Sequence, residues 1–118
     1  MHELSIAMSI VEMAEEESDK RGGASVNVVY LKLGRLAGVV KEALLASFEM
    51  ACEGTSLAGA RLEIEEVGIE IYCSVCKSPR ALESMQWFVC PECKNPVDQV
   101  LHGRELQVSA LEIEECPA

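Results

Sequence analysis

The stretch from residue 73 to residue 93 decides the fold, and it reads CSVCKSPRALESMQWFVCPEC. It begins and ends with a Cys-x-x-Cys pair, Cys73/Cys76 and Cys90/Cys93, and thirteen residues separate the two pairs. Two residues between cysteines let both sulfurs converge on one ion, and a second pair on a returning hairpin supplies the other two corners of a tetrahedron. This spacing predicts a zinc ribbon in which all four cysteines are zinc ligands.

Two other sites use similar cysteine patterns. A thioredoxin-type redox site has one Cys-x-x-Cys pair between a strand and a helix. This chain has two cysteine pairs close together, and neither pair lies between a strand and a helix. The zinc interpretation is therefore favoured. The knuckle from Cys90 to Cys93, with Pro91 inside it, also occurs where four sulfurs hold iron. An iron-containing electron carrier is therefore an alternative, which the colour of the purified protein would distinguish.

Composition and charge limit the function further. The chain has 118 residues, 49% of them hydrophobic, and a formal net charge of −10. A ribbon of about 30 residues cannot bury a sufficient core and depends on metal for its folding, so the other residues must form a compact unit of their own. An acidic surface repels phosphate backbones, which argues against the nucleic-acid-binding class of zinc ribbon. No apolar run has the length of a membrane span, so we expect no membrane partner.

Two further expectations concern location and catalysis. The N-terminus has no basic stretch followed by an apolar run, so we expect no signal peptide. Paired thiols in a metal-binding pattern are typical of the reducing cytoplasm. A catalytic zinc ion keeps an open coordination position, and four thiolates leave none, so we expect that the protein is not an enzyme.

Apolar periodicity predicts the order helix, strand, helix, strand, ribbon, strand. The helices are expected at 4–20 and 40–52, and the strands at 26–33, 61–65 and 106–110, with the first strand central. The fold class expected is mixed α/β (α+β), with two helices on a small three-stranded sheet that a four-cysteine zinc ribbon interrupts. The α/β domain would comprise residues 1–68 plus 103–118. The insert would comprise 69–102 and leave from neighbouring strands.

The amino terminus offers a second candidate metal site. The imidazole of His2 and the adjoining backbone nitrogens can form fused chelate rings in one plane, which suits Ni(II) or Cu(II) better than zinc. Glu3 can add a backbone nitrogen or a carboxylate oxygen. Both residues also have ordinary interpretations, since a terminal histidine is commonly solvated and an acid in the first turn of a helix interacts favourably with the helix dipole.

These motifs together resemble the HypA/HybF family of hydrogenase nickel-insertion accessory proteins. The resemblance runs from end to end. It rests on the start Met1-His2-Glu3-Leu4-Ser5, the Leu-Lys-Leu-Gly end of the first strand, Phe48-Glu49 in the second helix, the two cysteine pairs, and the closing Leu-x-Ile-x-Glu.

The resemblance implies a nickel metallochaperone with a structural Zn(II) site and Ni(II) as transient cargo. It implies His2 (side chain and backbone) and Glu3 (mainly its backbone nitrogen) as nickel ligands, and the four cysteines as zinc ligands. The implied partners are a maturation GTPase, the precursor of the [NiFe]-hydrogenase large subunit and, in some organisms, urease maturation factors. Relatives often carry a nickel-reaching carboxylate near the start of the second helix, where this chain has Val39-Val40. In place of that carboxylate, we expect the nickel ligand to come from Glu42, from a water molecule or from a group of a partner protein.

Two other functions remain as alternatives. The first is a zinc-ribbon adapter that binds proteins without delivering metal. The second is a nucleic-acid-binding ribbon, which predicts a basic stripe near the cysteine pairs. The insert instead mixes basic and acidic residues, namely Lys77, Arg80 and Lys94 with Glu83, Glu92 and Asp98.

Overall fold

The computed structural model describes residues 3–83, 88–97 and 99–114. Its elements follow the expected order, and the ribbon supplies three further strands. The helices are α1 (Glu3–Lys20) and α2 (Lys41–Cys52), and the strands are β1 (Ser25–Gly34), β2 (Arg61–Val67), β3 (Ile69–Cys73), β4 (Ser78–Leu82), β5 (Gln99–His102) and β6 (Leu106–Glu114). The strands form two three-stranded sheets, in the orders β2-β1-β6 and β4-β3-β5. The expected fold class is confirmed.

Helix α1 buries a narrow stripe of small and aliphatic side chains against α2. The buried residues recur at helical spacing and are Ala7, Ile10, Val11, Ala14 and Ser18. Leu4 and Met8, which the apolar periodicity places in the same stripe, are 42% and 57% exposed. That part of the prediction is wrong, because the buried stripe is centred on the small residues that let the two helices approach.

Helix α1 ends as its sequence predicts, at two consecutive glycines. Gly22 and Gly23 both have positive φ, 73° and 83°, which a side chain would disfavour. The carbonyl of Ser18, in the last turn of the helix, accepts the N–H of Arg21 at 3.1 Å and the N–H of Gly23 at 2.9 Å.

Strand β1 is central in its sheet, as its nearly continuous apolar character predicts. It lies between β2 and β6, which alternate more strongly between apolar and polar residues. The expectation that the insert leaves from neighbouring strands is therefore wrong. The apolar strand β1 pairs on both sides, and the more polar strands β2 and β6, between which the insert lies in the sequence, form the two edges of the sheet.

Helix α2 begins at Lys41, after an N-cap residue that cannot cap with its own side chain. Val40 has extended backbone angles (φ −83°, ψ 118°) and makes no side-chain hydrogen bond to the helix. The buried face consists of Leu44, Phe48 and Cys52 at four-residue spacing. Val40, which precedes the first helical turn, is 58% exposed.

The chain divides into two compact units. The first comprises the described residues up to Leu31, with Val39–Glu65 and the described residues from Gln107 onward. It contains both helices, and its buried side chains are almost all aliphatic.

The second unit comprises Glu66–Leu106 together with a short segment, Lys32–Gly38, from the end of β1 and the loop after it. Backbone hydrogen bonds hold this segment in the second unit. The N–H of Gly34 donates to the Glu105 carbonyl at 2.7 Å, and the N–H of Leu36 donates to the Gly103 carbonyl at 2.6 Å. The division into 1–68 plus 103–118 and 69–102 stays a prediction.

The alternation of buried and exposed residues is interrupted where β2 gives way to β3. Glu65 and Glu66 are both exposed although they are adjacent, and the buried positions then continue at Ile69 and Ile71. Successive side chains of a strand normally point to opposite faces, so two adjacent exposed residues mark a local irregularity. Within the described residues, no helix is both long and apolar enough to cross a membrane.

Candidate metal centre

The two cysteine pairs lie on two tight turns of similar backbone form. The first turn joins β3 to β4, and Cys73 is paired with Ser78 across it. In the second turn the N–H of Cys90 donates to the Asn95 carbonyl at 2.9 Å. The residue directly after each pair, Lys77 and Lys94, has positive φ of 55° and 64°. Glycine is the usual residue in this backbone conformation, so the type of these two residues does not predict it.

The four sulfurs converge on one point. They all lie within 4.8 Å of one another, with Cys73 Sγ 3.5 Å from Cys93 Sγ and Cys76 Sγ 3.8 Å from Cys90 Sγ. These distances are too long for a disulfide, whose S–S bond is about 2.05 Å. Four sulfurs around a zinc ion at about 2.3 Å would be separated by about 3.8 Å. The donor set therefore fits a tetrahedral divalent ion.

Backbone donors around the cluster favour thiolate over thiol at two of the cysteines. The N–H of Cys93 lowers the pKa of Cys90 to about 6 against the opposing effect of burial, and the N–H of Glu92 adds to the lowering. The pKa of Cys93 is also lowered, by hydrogen bonds from the backbone and side chain of Asn95. These donors would orient sulfur ligands and stabilise their negative charge around an ion.

Cys76 has the opposite tendency. Hydrogen bonding with Cys93 raises the pKa of Cys76 to about 12, with burial and the neighbouring thiols of Cys73 and Cys90 adding to the effect. A raised pKa favours the protonated thiol at Cys76. A metal ion that binds here must displace that proton, so metal binding at this centre is linked to proton release.

Arg80 is a functional candidate that the spacing of the cysteines did not reveal. It lies on β4 opposite Ile71. Burial opposes its charge, but hydrogen bonds to Cys90 and Cys76 leave its pKa raised. The charge pattern of the sequence identifies Arg80 only as one of the basic residues of the insert. Its place opposite Ile71 depends on the pairing of β4 with β3, so no local residue pattern would have identified it.

The proposed nickel ligands can be placed only in part. His2 lies outside the described residues. Glu3 is the first residue of α1, and its Oε2 accepts a hydrogen bond from the N–H of Val40 at 3.3 Å. The Glu3 carboxylate therefore adds a negative charge at the N-terminus of α2, where the helix dipole and the unpaired N–H groups favour one. Glu42, in the first turn of α2, is exposed.

His102 does not join the cysteine cluster. It is exposed, with Nδ1 2.9 Å from Oε2 of Glu105 and Nε2 3.9 Å from Oε1 of Glu70. Over the described ranges, the cluster that could hold a metal ion consists of the four cysteines. His102 thus lies at the end of β5 as a surface residue.

The comparisons with known proteins agree with this geometry. The family model described as hydrogenase/urease nickel incorporation, metallochaperone, HypA matches residues 1–113. The chain belongs to this family. Similar members named hydrogenase maturation factor HypA include one from Roseiflexus sp. (strain RS-1), 50% identical over 98% of this chain and 94% of the relative. Another, from Chloroflexus aggregans, is 47% identical over 95% of this chain and 98% of the relative.

Solved structures of HypA proteins share the fold. The solution structure of the Ni metallochaperone HypA from Helicobacter pylori has a TM-score of 0.68 and 24% sequence identity, over 98% of this chain and 99% of that one. A second solution structure of a HypA protein has a TM-score of 0.70 and 24% identity, over 96% of each chain. At this level of identity the likeness shows the fold alone.

Proposed function

We propose that this HypA-family protein is a nickel metallochaperone that binds Ni(II) at its N-terminus and delivers it for the maturation of [NiFe]-hydrogenase. The role is one of binding and transfer without catalysis. The family match over residues 1–113 is the observation that carries the proposal. It is supported by relatives of nearly the same length that are named hydrogenase maturation factors.

In this proposal the four cysteines hold a resident zinc ion. The convergence of their sulfurs within 4.8 Å supports this assignment. Zinc supplies a closed tetrahedral link between the two turns, with no position left for a substrate. Cys73 and Cys90 are buried, whereas Cys76 and Cys93 are half-buried. A soft donor set with two buried members suits permanent binding.

The cargo site is proposed at the chain start, with His2 contributing its imidazole and backbone nitrogen and Glu3 contributing mainly its backbone nitrogen. The position of the Glu3 carboxylate supports this division, because its Oε2 already accepts the N–H of Val40. Nitrogen donors in one plane suit Ni(II). A site at a chain end is easily dismantled, so a downstream protein with a better site can take the metal.

A nickel titration on three proteins tests the proposal. Wild type, His2→Ala and Glu3→Gln are purified, analysed for zinc, and titrated with Ni(II). We expect roughly one zinc per chain in all three. His2→Ala should lose nickel binding because the imidazole is removed. Glu3→Gln keeps the backbone nitrogen and should bind nickel within about threefold of wild type, while losing roughly 0.3–1 kcal/mol of folding stability at the α2 N-terminus.

Each outcome bears on a separate part of the proposal. Equal loss of zinc and nickel in His2→Ala would contradict the division into a resident and a cargo ion. Nickel bound only by sulfur, shown by X-ray absorption spectroscopy, would contradict the N-terminal site. A large loss of nickel binding in Glu3→Gln would assign the carboxylate, rather than the backbone nitrogen, as the ligand.

The proposed partners follow from the proposed delivery. They are a maturation GTPase, the hydrogenase large-subunit precursor and, where a urease is present, its maturation factors. We place this activity in the cytoplasm, where four cysteines that are not paired as disulfides would stay reduced. Transfer of nickel from the loaded protein to the purified large-subunit precursor, with His2→Ala as the control, measures delivery directly.

A further inference from the structure

The imidazole of His102 lies between two carboxylates at the end of β5. Its Nδ1 is 2.9 Å from Oε2 of Glu105, and its Nε2 is 3.9 Å from Oε1 of Glu70. Glu70 is the residue directly opposite His102 where β3 pairs with β5, so the two side chains lie on the same face of that sheet. The ring therefore presents one nitrogen to each carboxylate.

The carboxylate of Glu105 fixes the orientation of this ring. An ionised carboxylate only accepts hydrogen bonds, so the contact at 2.9 Å places the proton of the neutral imidazole on Nδ1. The other oxygen of Glu105 accepts the N–H of Gly103 at 2.7 Å, which holds the carboxylate in place. Nε2 of His102 is then the ring nitrogen that carries a lone pair, and it is the nitrogen that faces Glu70.

The gap between Nε2 and Glu70 is suited to a metal ion. Both atoms are acceptors in this tautomer, so a cation between them is attracted to both. Their separation of 3.9 Å is shorter than two metal–ligand bonds of about 2.1 Å each, so one ion can bind both atoms. The side chains of His102 and Glu70 are 57% and 41% exposed. Water can therefore reach the ion and occupy its other coordination positions.

The three residues also have the relation that is usual around a metal-binding histidine. Such a histidine commonly donates its second ring N–H to a carboxylate, which orients the ring and makes the ligand more basic. Glu105 has that role here, and Glu70 supplies an oxygen ligand beside the free nitrogen. Imidazole and carboxylate donors suit divalent transition ions such as Ni(II), Cu(II) and Zn(II). With two protein ligands, this site is smaller than the four-sulfur cluster and should bind more weakly.

We propose that Nε2 of His102 and the carboxylate of Glu70 form a further, exposed site for a divalent transition ion, with Glu105 as its positioning residue. The assignment of Ni(II) as the ion rests on the proposed function, whereas the site itself does not. Because two protein ligands hold the ion and water completes its shell, the ion should exchange easily. In a titration of His2→Ala, this site would appear as a residual step at higher nickel concentration than the N-terminal site requires.

The experiment titrates Ni(II) into zinc-loaded proteins that all carry His2→Ala, so that the N-terminal site does not contribute. The variants added to this background are His102→Gln, Glu70→Gln, Glu105→Gln and, as matched control, Glu66→Gln, which removes the same charge from an exposed residue of the same unit. Calorimetry measures the affinity. The loss of amide NMR signals near paramagnetic Ni(II) measures the position of the ion.

We expect the Ni(II) affinity to fall about tenfold or more in His102→Gln and Glu70→Gln, to fall severalfold in Glu105→Gln, and to stay unchanged in Glu66→Gln. The amide signals of β5 should broaden in the background protein and stay sharp in His102→Gln. An equal affinity in the background protein and in His102→Gln would overturn the inference. An equal loss in Glu70→Gln and Glu66→Gln would show attraction by general charge and would overturn Glu70 as a ligand. An unchanged affinity in Glu105→Gln would overturn its positioning role.

These outcomes are separate from those that test the proposed function. If the background protein binds no Ni(II), this inference fails, while the N-terminal site and the delivery of nickel are unaffected. If His2→Ala binds Ni(II) as tightly as wild type does, the N-terminal site fails, and the variants of His102 and Glu70 still decide whether this site exists. With His2 intact, His102→Gln should leave the tighter nickel-binding step unchanged.

Discussion

The carboxylate of Glu105 stabilises the point where the chain passes from β5 to β6. Its Oε1 accepts the N–H of Gly103 at 2.7 Å, and its Oε2 lies 2.9 Å from Nδ1 of His102. The hydrogen bond with His102 lowers the pKa of Glu105, and the N–H of Gly103 adds to that effect. Both contacts favour the ionised form of a half-buried group. At the scale of single residues, the stability of this connection therefore depends on pH.

The sign of that dependence follows from the direction of the pKa shift. Because the folded-state pKa of Glu105 is lower than its ordinary value of 4.5, its stabilising contribution is present above about pH 4.5 and is lost as the pH falls through the folded value. We expect Glu105→Gln to be roughly 1 kcal/mol less stable than wild type at pH 7, with a smaller difference near pH 3. Denaturation midpoints at both values measure it. Glu112→Gln, an exposed carboxylate of β6, is the control, and an equal difference at both pH values would contradict the assignment.

The sequence predicted the cysteine cluster at this scale but not its surroundings. The Cys-x-x-Cys spacing reflects a geometric requirement of a tetrahedral ion, so the four cysteines that cluster could be named from the chain alone. The place of Arg80 depends on how β4 pairs with β3, and that pairing is not encoded in a local pattern. Glu105 contacts His102 and Gly103, which are close to it in the chain, but only the folded chain shows that these groups meet.

At the scale of elements, the helices and β1 could be predicted because each has a strong apolar period of its own. The segment Lys32–Gly38 could not be assigned in the same way. It follows β1 directly in sequence, yet it belongs to the unit of β3, β4 and β5. Backbone hydrogen bonds from Gly34, Arg35 and Leu36 hold it there, and backbone groups carry no sequence signature. Gly34 is the exception, because the lack of a side chain at this residue permits the contact.

Two glycines near the ends of strands allow this contact to be tested. A Cβ on Gly34 would overlap the backbone carbonyl of Gly103, whereas a Cβ on Gly68 would have nothing within 4 Å. We expect Gly34→Ala to lose about 3 kcal/mol of stability or to misfold, because backbone cannot move aside as a flexible side chain can. Gly68→Ala should stay within about 0.5 kcal/mol of wild type. Thermal unfolding of both variants measures this, and equal stability would place Gly34 away from Gly103.

At the scale of the whole molecule, the two units differ in the size of their cores. Most of the buried apolar side chains belong to the first unit, where both helices and the strands of β2-β1-β6 contribute. In the second unit the buried apolar residues that the structure describes are Leu33, Ile69, Ile71, Cys73 and Cys90. Two of these five are members of the cysteine cluster. Three aliphatic side chains are too few to balance the entropy of ordering Lys32–Gly38 together with Glu66–Leu106.

Removal of the proposed zinc ion should therefore affect the two units differently. A strong zinc chelator should unfold Glu66–Leu106, because structural zinc supplies folding free energy on the order of 10 kcal/mol. Hydrogen exchange in β3, β4 and β5 should become about a hundredfold faster or more, while amides of α1 and α2 keep most of their protection, since their core contains no cysteine of the cluster. A chelator that removes only nickel is the control and should leave both units protected. Joint unfolding of both units would show that the first unit depends on the metal as well, and unchanged exchange everywhere would show that the three aliphatic residues suffice.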